Sequence, residues 1–153
     1  MAQQPALFIV RGPPGSGKTT YGKHILAQQP GTKHIEGDDF FTDAKGNYAF
    51  DESRAAEANE WCLSAVKKAL GAGHNALISQ DFITRKEMAP FIALGYRTQI
   101  VEMGMEFPNT HGVSKKAAQA KKEAFEPHPS AVRIMDMPTE VPAVSKHARS
   151  YRQ

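Results

Sequence analysis

The segment Gly12-Pro13-Pro14-Gly15-Ser16-Gly17-Lys18-Thr19-Thr20 joins two stretches of different periodicity. Before it, Ala6 to Val10 is an unbroken apolar run of strand length that ends at Arg11. After it, Lys18 to Gln29 is helix-forming and is closed by Pro30 and Gly31. A chain that passes from strand to helix through Gly12, Gly15 and Gly17 can curl its backbone into a nest of N–H groups aimed at one anion. The helix that follows adds its positive N-terminus to the same point. The spacing G-x-x-x-x-G-K-[ST] is the P-loop pattern. In that pattern Lys18 reaches the β- and γ-phosphates of a nucleoside triphosphate such as ATP, and the Thr19 hydroxyl binds Mg²⁺. Gly12 through Thr20 are therefore the expected nucleotide contacts.

The rest of the chain repeats the alternation. Lys33 to Glu36 reads as a second strand, stopped by Gly37, and Thr42 to Tyr48 as a loop. Ala58, Trp61, Cys62, Ala65, Val66, Ala69 and Leu70 recur at helical steps, which predicts a helix over Asp51 to Leu70 ended by Gly71 and Gly73. Ala76 to Ser79 reads as a third strand. Thr84 followed by Glu87 is a capping box and starts a helix from Arg85 to about Leu94. A fourth strand spans Arg97 to Met103. Ser114 to Phe125 is helical but mostly Lys, Ala and Gln, so little of it can be buried. Val132 to Met135 closes the list as a short strand. Strands alternating with helices imply a parallel sheet with right-handed crossovers. The expected fold is a single α/β three-layer sandwich of P-loop NTPase type, with a mostly parallel sheet of four to five strands. Ligands of such sheets bind beyond the carboxyl ends of the strands, so the residues after each strand carry the chemistry.

A length of 153 residues fits one domain. The expected division is a P-loop kinase-like domain over 1–137 and a basic tail over 138–153, where Lys146, Arg149 and Arg152 follow Glu140 without an acid. A single cysteine, Cys62, excludes an internal disulfide and no Cys/His spacing fits zinc. On the apolar face of its helix it reads as a buried thiol. No apolar run approaches bilayer length and no signal-like start is present, so no membrane partner and a reduced, cytoplasmic setting are expected. The net charge of +3 is compatible with a polyanionic partner without requiring one.

Asp38 and Asp39 follow the second strand. A carboxylate there can take the proton of an incoming hydroxyl, and its neighbour can help hold a metal ion. Asp38 is the expected base. Asp39 is expected at the metal beside Thr19, with a helix or turn cap as its structural alternative. Trp61 and Phe91 read as core. Phe40, Phe41 and Phe82 flank the presumed ligand edge, where a ring can stack on a base or pack inward.

Gly12–Thr20, Pro30-Gly31 and Asp38-Asp39 together resemble the phage-type polynucleotide kinases and related cellular P-loop kinases. The likeness continues through Gly46, Tyr48, Phe50 and Asp51, through Glu57 to Trp61, through Glu87, Met88, Pro90 and Phe91, and through Asn109, His111, Gly112 and Val113. It implies ATP-dependent phosphoryl transfer to a hydroxyl, commonly the 5′-hydroxyl of DNA or RNA, with Asp38 as general base. A nucleoside, nucleotide or other small hydroxyl compound, and an ATP-binding module with little turnover, remain as alternatives.

The sequence departs from that family at three places. Phe41 stands where the phage branch has a phosphate-holding Arg. The third strand ends in Ser79-Gln80-Asp81-Phe82, so the family's acid is absent or displaced to Asp81. Phe107 and Pro108 occupy the lid positions of one or two Arg. A lid Arg neutralises charge in transit. Lys115, Lys116, Lys121 and Lys122 can substitute as point charges or simply form a solvated helix face, and an Arg inserted by a second copy of the chain is another source. Phe41, Asp81, His111, Lys115 and Lys116 complete the candidate acceptor side.

Overall fold

The computed structural model describes residues 4–104 and 114–135. The lid positions Phe107, Pro108 and His111 and the expected tail over 138–153 lie outside the described residues. Five strands form one all-parallel sheet: β1 (Ala6–Arg11), β2 (Lys33–Glu36), β3 (Ala76–Gln80), β4 (Arg97–Met103) and β5 (Val132–Ile134), in the order β2-β3-β1-β4-β5. The helices are α1 (Lys18–Gln28), α2 (Gly37–Phe40), α3 (Ala55–Gly71), α4 (Arg85–Ile92) and α5 (Lys115–Ala124).

Connection handedness sorts the helices into layers. The chain moves outward from β1 to β2, then reverses to β3 and crosses β1 to reach β4. Right-handed crossovers place connections of opposite direction on opposite faces. Accordingly Tyr21 and Ile25 of α1 pack with Phe8, Val10, Leu77 and Val101 on one face. Cys62, Val66 and Leu70 of α3 and Met88 and Phe91 of α4 pack with Leu7, Ile9, Ile78 and Ile100 on the other. Central β1 is covered on both faces, so all its residues are buried and it reads as a continuous apolar run.

The expected elements are present with small differences at their ends. Asp51 caps a short 3₁₀ turn, Glu52–Arg54, which precedes α3 instead of being its first turn. The Thr84–Glu87 capping box forms, but α4 ends at Ile92 before Gly95 adopts a left-handed φ of 82°. Cys62 is buried and burial pushes its thiol up to about 11. Phe91 is core as expected. Trp61 is not: it is 41% exposed, because its place on α3 faces outward beside α2 instead of the sheet. No residue of α5 is buried. Among the described residues no helix is long and apolar enough to cross a membrane.

The last residue of β1 is a wholly buried arginine. In register it faces Glu102 of β4. Arg11 Nη1 donates to Glu102 Oε2 at 2.6 Å and to the Glu126 carbonyl at 2.8 Å. Nε donates to the Phe82 carbonyl at 2.9 Å, and Nη2 to the carbonyls of Phe82 and Ile83. Each of a guanidinium's five donors thus has an acceptor, and the Phe125 ring lies 4.1 Å from its carbon. Glu102 Oε2 also accepts the His128 N–H at 2.7 Å. Breaking such a pair from one side strands a buried charge, at a cost of about 3–5 kcal/mol. Arg11→Met should therefore lose about that much stability in urea unfolding, and adding Glu102→Leu should recover part of it. A loss below about 1 kcal/mol for Arg11→Met would show that the network contributes little.

Candidate functional site

The P-loop geometry follows from its glycines. Gly15 and Gly17 have φ of 78° and 99°, the left-handed region that favours glycine, and Gly17 caps α1. A Cβ on Gly12 would collide with Ser16 Oγ and come within 2.8 Å of the Met103 carbonyl. Ser16 is 3% exposed, and its hydroxyl has no hydrogen-bond partner among the described residues. An orphaned buried hydroxyl is costly, and an anion in the cradle would satisfy it. The residues present therefore fit a nucleotide phosphate. Pro13 and Pro14 shape the outer turn, with the Pro13 carbonyl accepting the Ser16 N–H at 3.2 Å. Thr19 and Thr20 are exposed on the first turn of α1.

Lys18 leans over this loop. Its ammonium donates to the Gly12 carbonyl at 2.7 Å and the Pro13 carbonyl at 3.1 Å, and pairs with Asp81 Oδ1 at 2.9 Å. Asp81 follows β3, the neighbour of β1, and so comes directly alongside the loop. Its other oxygen, Oδ2, accepts from Lys121 of α5 at 2.8 Å. Burial pushes the Asp81 carboxyl up, but the two ammoniums together outweigh it and hold it below the usual carboxylate range. The next residue, Phe82, is the one described non-glycine residue with positive φ, at 44°. Such a backbone costs free energy and needs an external hold. Arg11 supplies it by donating twice to the Phe82 carbonyl.

The paired acids sit on α2, directly after β2. Asp39 Oδ2 accepts the Glu36 N–H at 3.2 Å, completing the α2 capping box. Burial, ahead of that bond, leaves its carboxyl above the ordinary range. Asp38 meets the hydroxyl of Tyr48. Burial, then the charge of Asp38 and the bond to it, push the Tyr48 hydroxyl up to about 12, with Asp81 adding to the shift. The Asp43 carboxylate holds the 41–50 loop by accepting from the N–H groups of Lys45 and Asn47 at 2.8 and 2.9 Å. Thr42 and Tyr48 then pair across it. Phe40, Phe41 and Phe50 stack edge to face at 5.0 Å, and Phe50 is 58% exposed.

Gly12–Lys18 and Asp81 are therefore in one place. Lys115 and Lys116 lie exposed at the start of α5, and the lysine of that helix that reaches Asp81 is Lys121. Among the described residues there is no cluster of three or more His, Cys, Asp or Glu to hold a metal by itself. Two participants carried no motif. Tyr48 was visible only as part of the family likeness. Arg11 had a legible signal, a charge closing an otherwise apolar strand, but its partner Glu102 emerges only from the strand register.

A family model described as AAA domain matches residues 7–138. The chain belongs to this AAA domain family. This AAA domain chain is 28% identical over 144 residues to human NEDD4-binding protein 2, covering 84% of itself but only 8% of that protein's length. Among solved structures it resembles a sugar kinase from Janibacter, with a TM-score of 0.65 and 16% identity over 87% of this chain and 86% of the other. It resembles equally a chain of the Pnkp1/Rnl/Hen1 RNA repair complex, with a TM-score of 0.65 and 14% identity over 96% of this chain and 54% of the other. At these identities the structural likeness is one of fold, an α/β fold of P-loop NTPase type.

The folded chain holds the Asp81 proton less tightly than the unfolded chain does. Its contribution to stability is therefore complete above the ordinary aspartate value near about 4 and is lost as pH falls below that. Asp81→Asn should flatten the acid limb of a stability–pH curve measured by urea unfolding. An acid limb parallel to the wild type would show that Asp81 is not its source.

Proposed function

We propose that the chain is an ATP-dependent phosphotransferase that moves the γ-phosphoryl group to a hydroxyl. The observation that carries this reading is Tyr48. Its hydroxyl bonds Asp38 and lies in the field of Asp81, and Asp81 pairs with the P-loop lysine. These contacts support reading the acceptor-side acid and the phosphate cradle as one site.

ATP lies with its phosphates on the N–H groups of Gly12–Thr19, with Lys18 transferring its contacts from carbonyls and Asp81 to phosphate oxygens. The acceptor hydroxyl oxygen forms a bond to the γ-phosphorus as the bond to the β–γ bridging oxygen breaks. ADP departs with that electron pair, and the hydroxyl proton passes to Asp38. Tyr48 donates to Asp38 and fixes the direction of its free lone pairs. Thr19 and Asp81 are the groups placed to hold Mg²⁺ with the phosphates, and the ion would supply charge neutralisation. Asp39, turned to the Glu36 N–H, is assigned to structure, with any metal contact through water.

The acceptor we favour is the 5′-hydroxyl end of a DNA or RNA strand. Exposed Phe50 and Trp61 stand on the Asp38 side, where a base can stack at a gain of about 1–3 kcal/mol. Likeness to a chain of an RNA repair complex supports this choice; likeness to a sugar kinase supports a small hydroxyl compound as the alternative. A lone thiol suits the reducing cytoplasm.

Transfer of label from γ-labelled ATP to 5′-hydroxyl oligonucleotides, nucleosides and sugars tests the reading directly. Label on the oligonucleotide is expected, and label on a sugar alone would assign the other acceptor. Lys18→Ala should weaken ATP binding by about 1.5–3 kcal/mol in calorimetry, the range for a charge-assisted contact. Equal affinity would refute the P-loop assignment. Asp38→Asn should keep ATP affinity and lose about 10²–10⁴-fold in transfer rate. Unchanged transfer in that variant would remove Asp38 as the base.

A further inference from the structure

We propose that Lys121 is the cation that meets the γ-phosphate, carried to it by α5 in place of an arginine. The proposal rests on reading the P-loop as a triphosphate site.

The first ground is position. One carboxylate, Asp81, holds two ammoniums at once: Lys18 at 2.9 Å on one oxygen and Lys121 at 2.8 Å on the other. Lys18 belongs to the phosphate cradle, so Lys121 stands one carboxylate away from it. Two like charges this close depend on a shared anion, and a triphosphate offers a larger one in the same place. As phosphate oxygens draw Lys18 off Asp81, Lys121 is the next cation within reach. Its side chain is 44% exposed, so it can turn without unpacking anything.

The second ground is how α5 is held. A helix with no buried residue gets no hold from the hydrophobic core. What fixes it is polar and lies at its C-terminal end. The Phe125 ring covers Arg11, and the Glu126 carbonyl accepts from Arg11. The Glu126 N–H donates to the Ile83 carbonyl at 2.8 Å. The Arg85 N–H donates to Glu126 Oε1 at 2.9 Å, and its guanidinium Nε donates to the Pro127 carbonyl at 2.7 Å. These contacts grip the residues that follow the last turn, and Lys121 is within that turn. The Arg11 network therefore sets where the ammonium sits. Among the described residues no such anchor lies beside Lys115 and Lys116, at the far end of the helix.

The third ground is chemical. A Lys is a point charge on a flexible stem, without the fork of an Arg. It can neutralise charge on one oxygen but not clamp two. Its contribution should appear on the γ-phosphate and leave the β-phosphate, held by the P-loop, as it was.

That difference gives a test that does not need turnover. The affinities of ATP and of ADP are measured by calorimetry on the full chain, in wild type, Lys121→Ala and Lys121→Arg, with Lys68→Ala as a charge-matched control on α3. Lys121→Ala should keep ADP affinity and lose about 10–100-fold of the preference for ATP, the range for one charge-assisted contact. Transfer to an oligonucleotide should fall at least as far, with KM for ATP rising in step with the lost affinity. Lys121→Arg should restore most of both, and Lys68→Ala should change neither. A Lys121→Ala protein with the wild-type ATP-to-ADP ratio and rate overturns the proposal while leaving the P-loop reading intact. Wild type that binds neither nucleotide sinks the P-loop reading, and this one with it. Equal loss of ATP and ADP affinity together with a lowered melting temperature would mean that Lys121 only pins α5, and would also overturn it. Specific activity that disappears on dilution would assign the charge to a second copy of the chain and overturn it as well.

Discussion

A guanidinium with no water around it organises the ligand end of this sheet. Arg11 is buried at the end of the central strand, and a buried charge is tolerated only when it is paired and its donors are all used. The acceptors are four residues from three segments: Phe82 and Ile83 after β3, Glu102 in β4, and Glu126 after α5. Satisfying one side chain thus ties the connections after β3 and α5 to the adjacent strands β1 and β4. Those connections carry the residues that approach the phosphate cradle. The charge that is costly to bury is the same one that gives the site its shape.

The strained backbone at Phe82 illustrates the coupling. A left-handed phenylalanine is unfavourable in isolation. Here its ring is buried against Phe91, with centroids 5.3 Å apart, and its carbonyl is held by Arg11. The preceding carbonyl, that of Asp81, accepts the Gly12 N–H at 3.2 Å. With both neighbouring carbonyls fixed, the Asp81 side chain is directed at Lys18. A positioned carboxylate is therefore obtained just after β3, at Asp81. Core packing sets the backbone, and the backbone sets the charge.

The acceptor side is built by a different principle. No residue of α2 or the 41–50 loop is wholly buried, and only single groups such as the Asp39 carboxyl and the Tyr48 hydroxyl are partly desolvated. Asp43 draws the loop around itself, Asp39 closes the α2 cap, and edge-to-face rings join Phe40, Phe41 and Phe50. Such surface structure gains little from desolvation and opens more readily than the sheet.

The sequence by itself determined the cradle and every strand and helix except α2 and the short 3₁₀ turn before α3, because these follow from short-range rules. Periodicity separates strands from helices, the Thr84–Glu87 box starts α4, and the spacing of Gly12, Gly15, Gly17 and Lys18 specifies a backbone nest. It also left Asp81 as a displaced acid and α5 as a helix without a core face. Only the tertiary structure decided which charges meet. Lys18, Asp81 and Lys121 are separated by long stretches of chain, and so are Arg11, Glu102 and Glu126; crossovers and strand order bring them within hydrogen-bond distance. The outward placing of Trp61 was hidden for the same reason. A helical repeat says that residues share a face, but whether a neighbour covers the edge of that face depends on α2, whose position no local pattern encodes. Local sequence fixes what each segment is. Long-range packing, acting through a buried charge that must be satisfied, fixes what the segments do together.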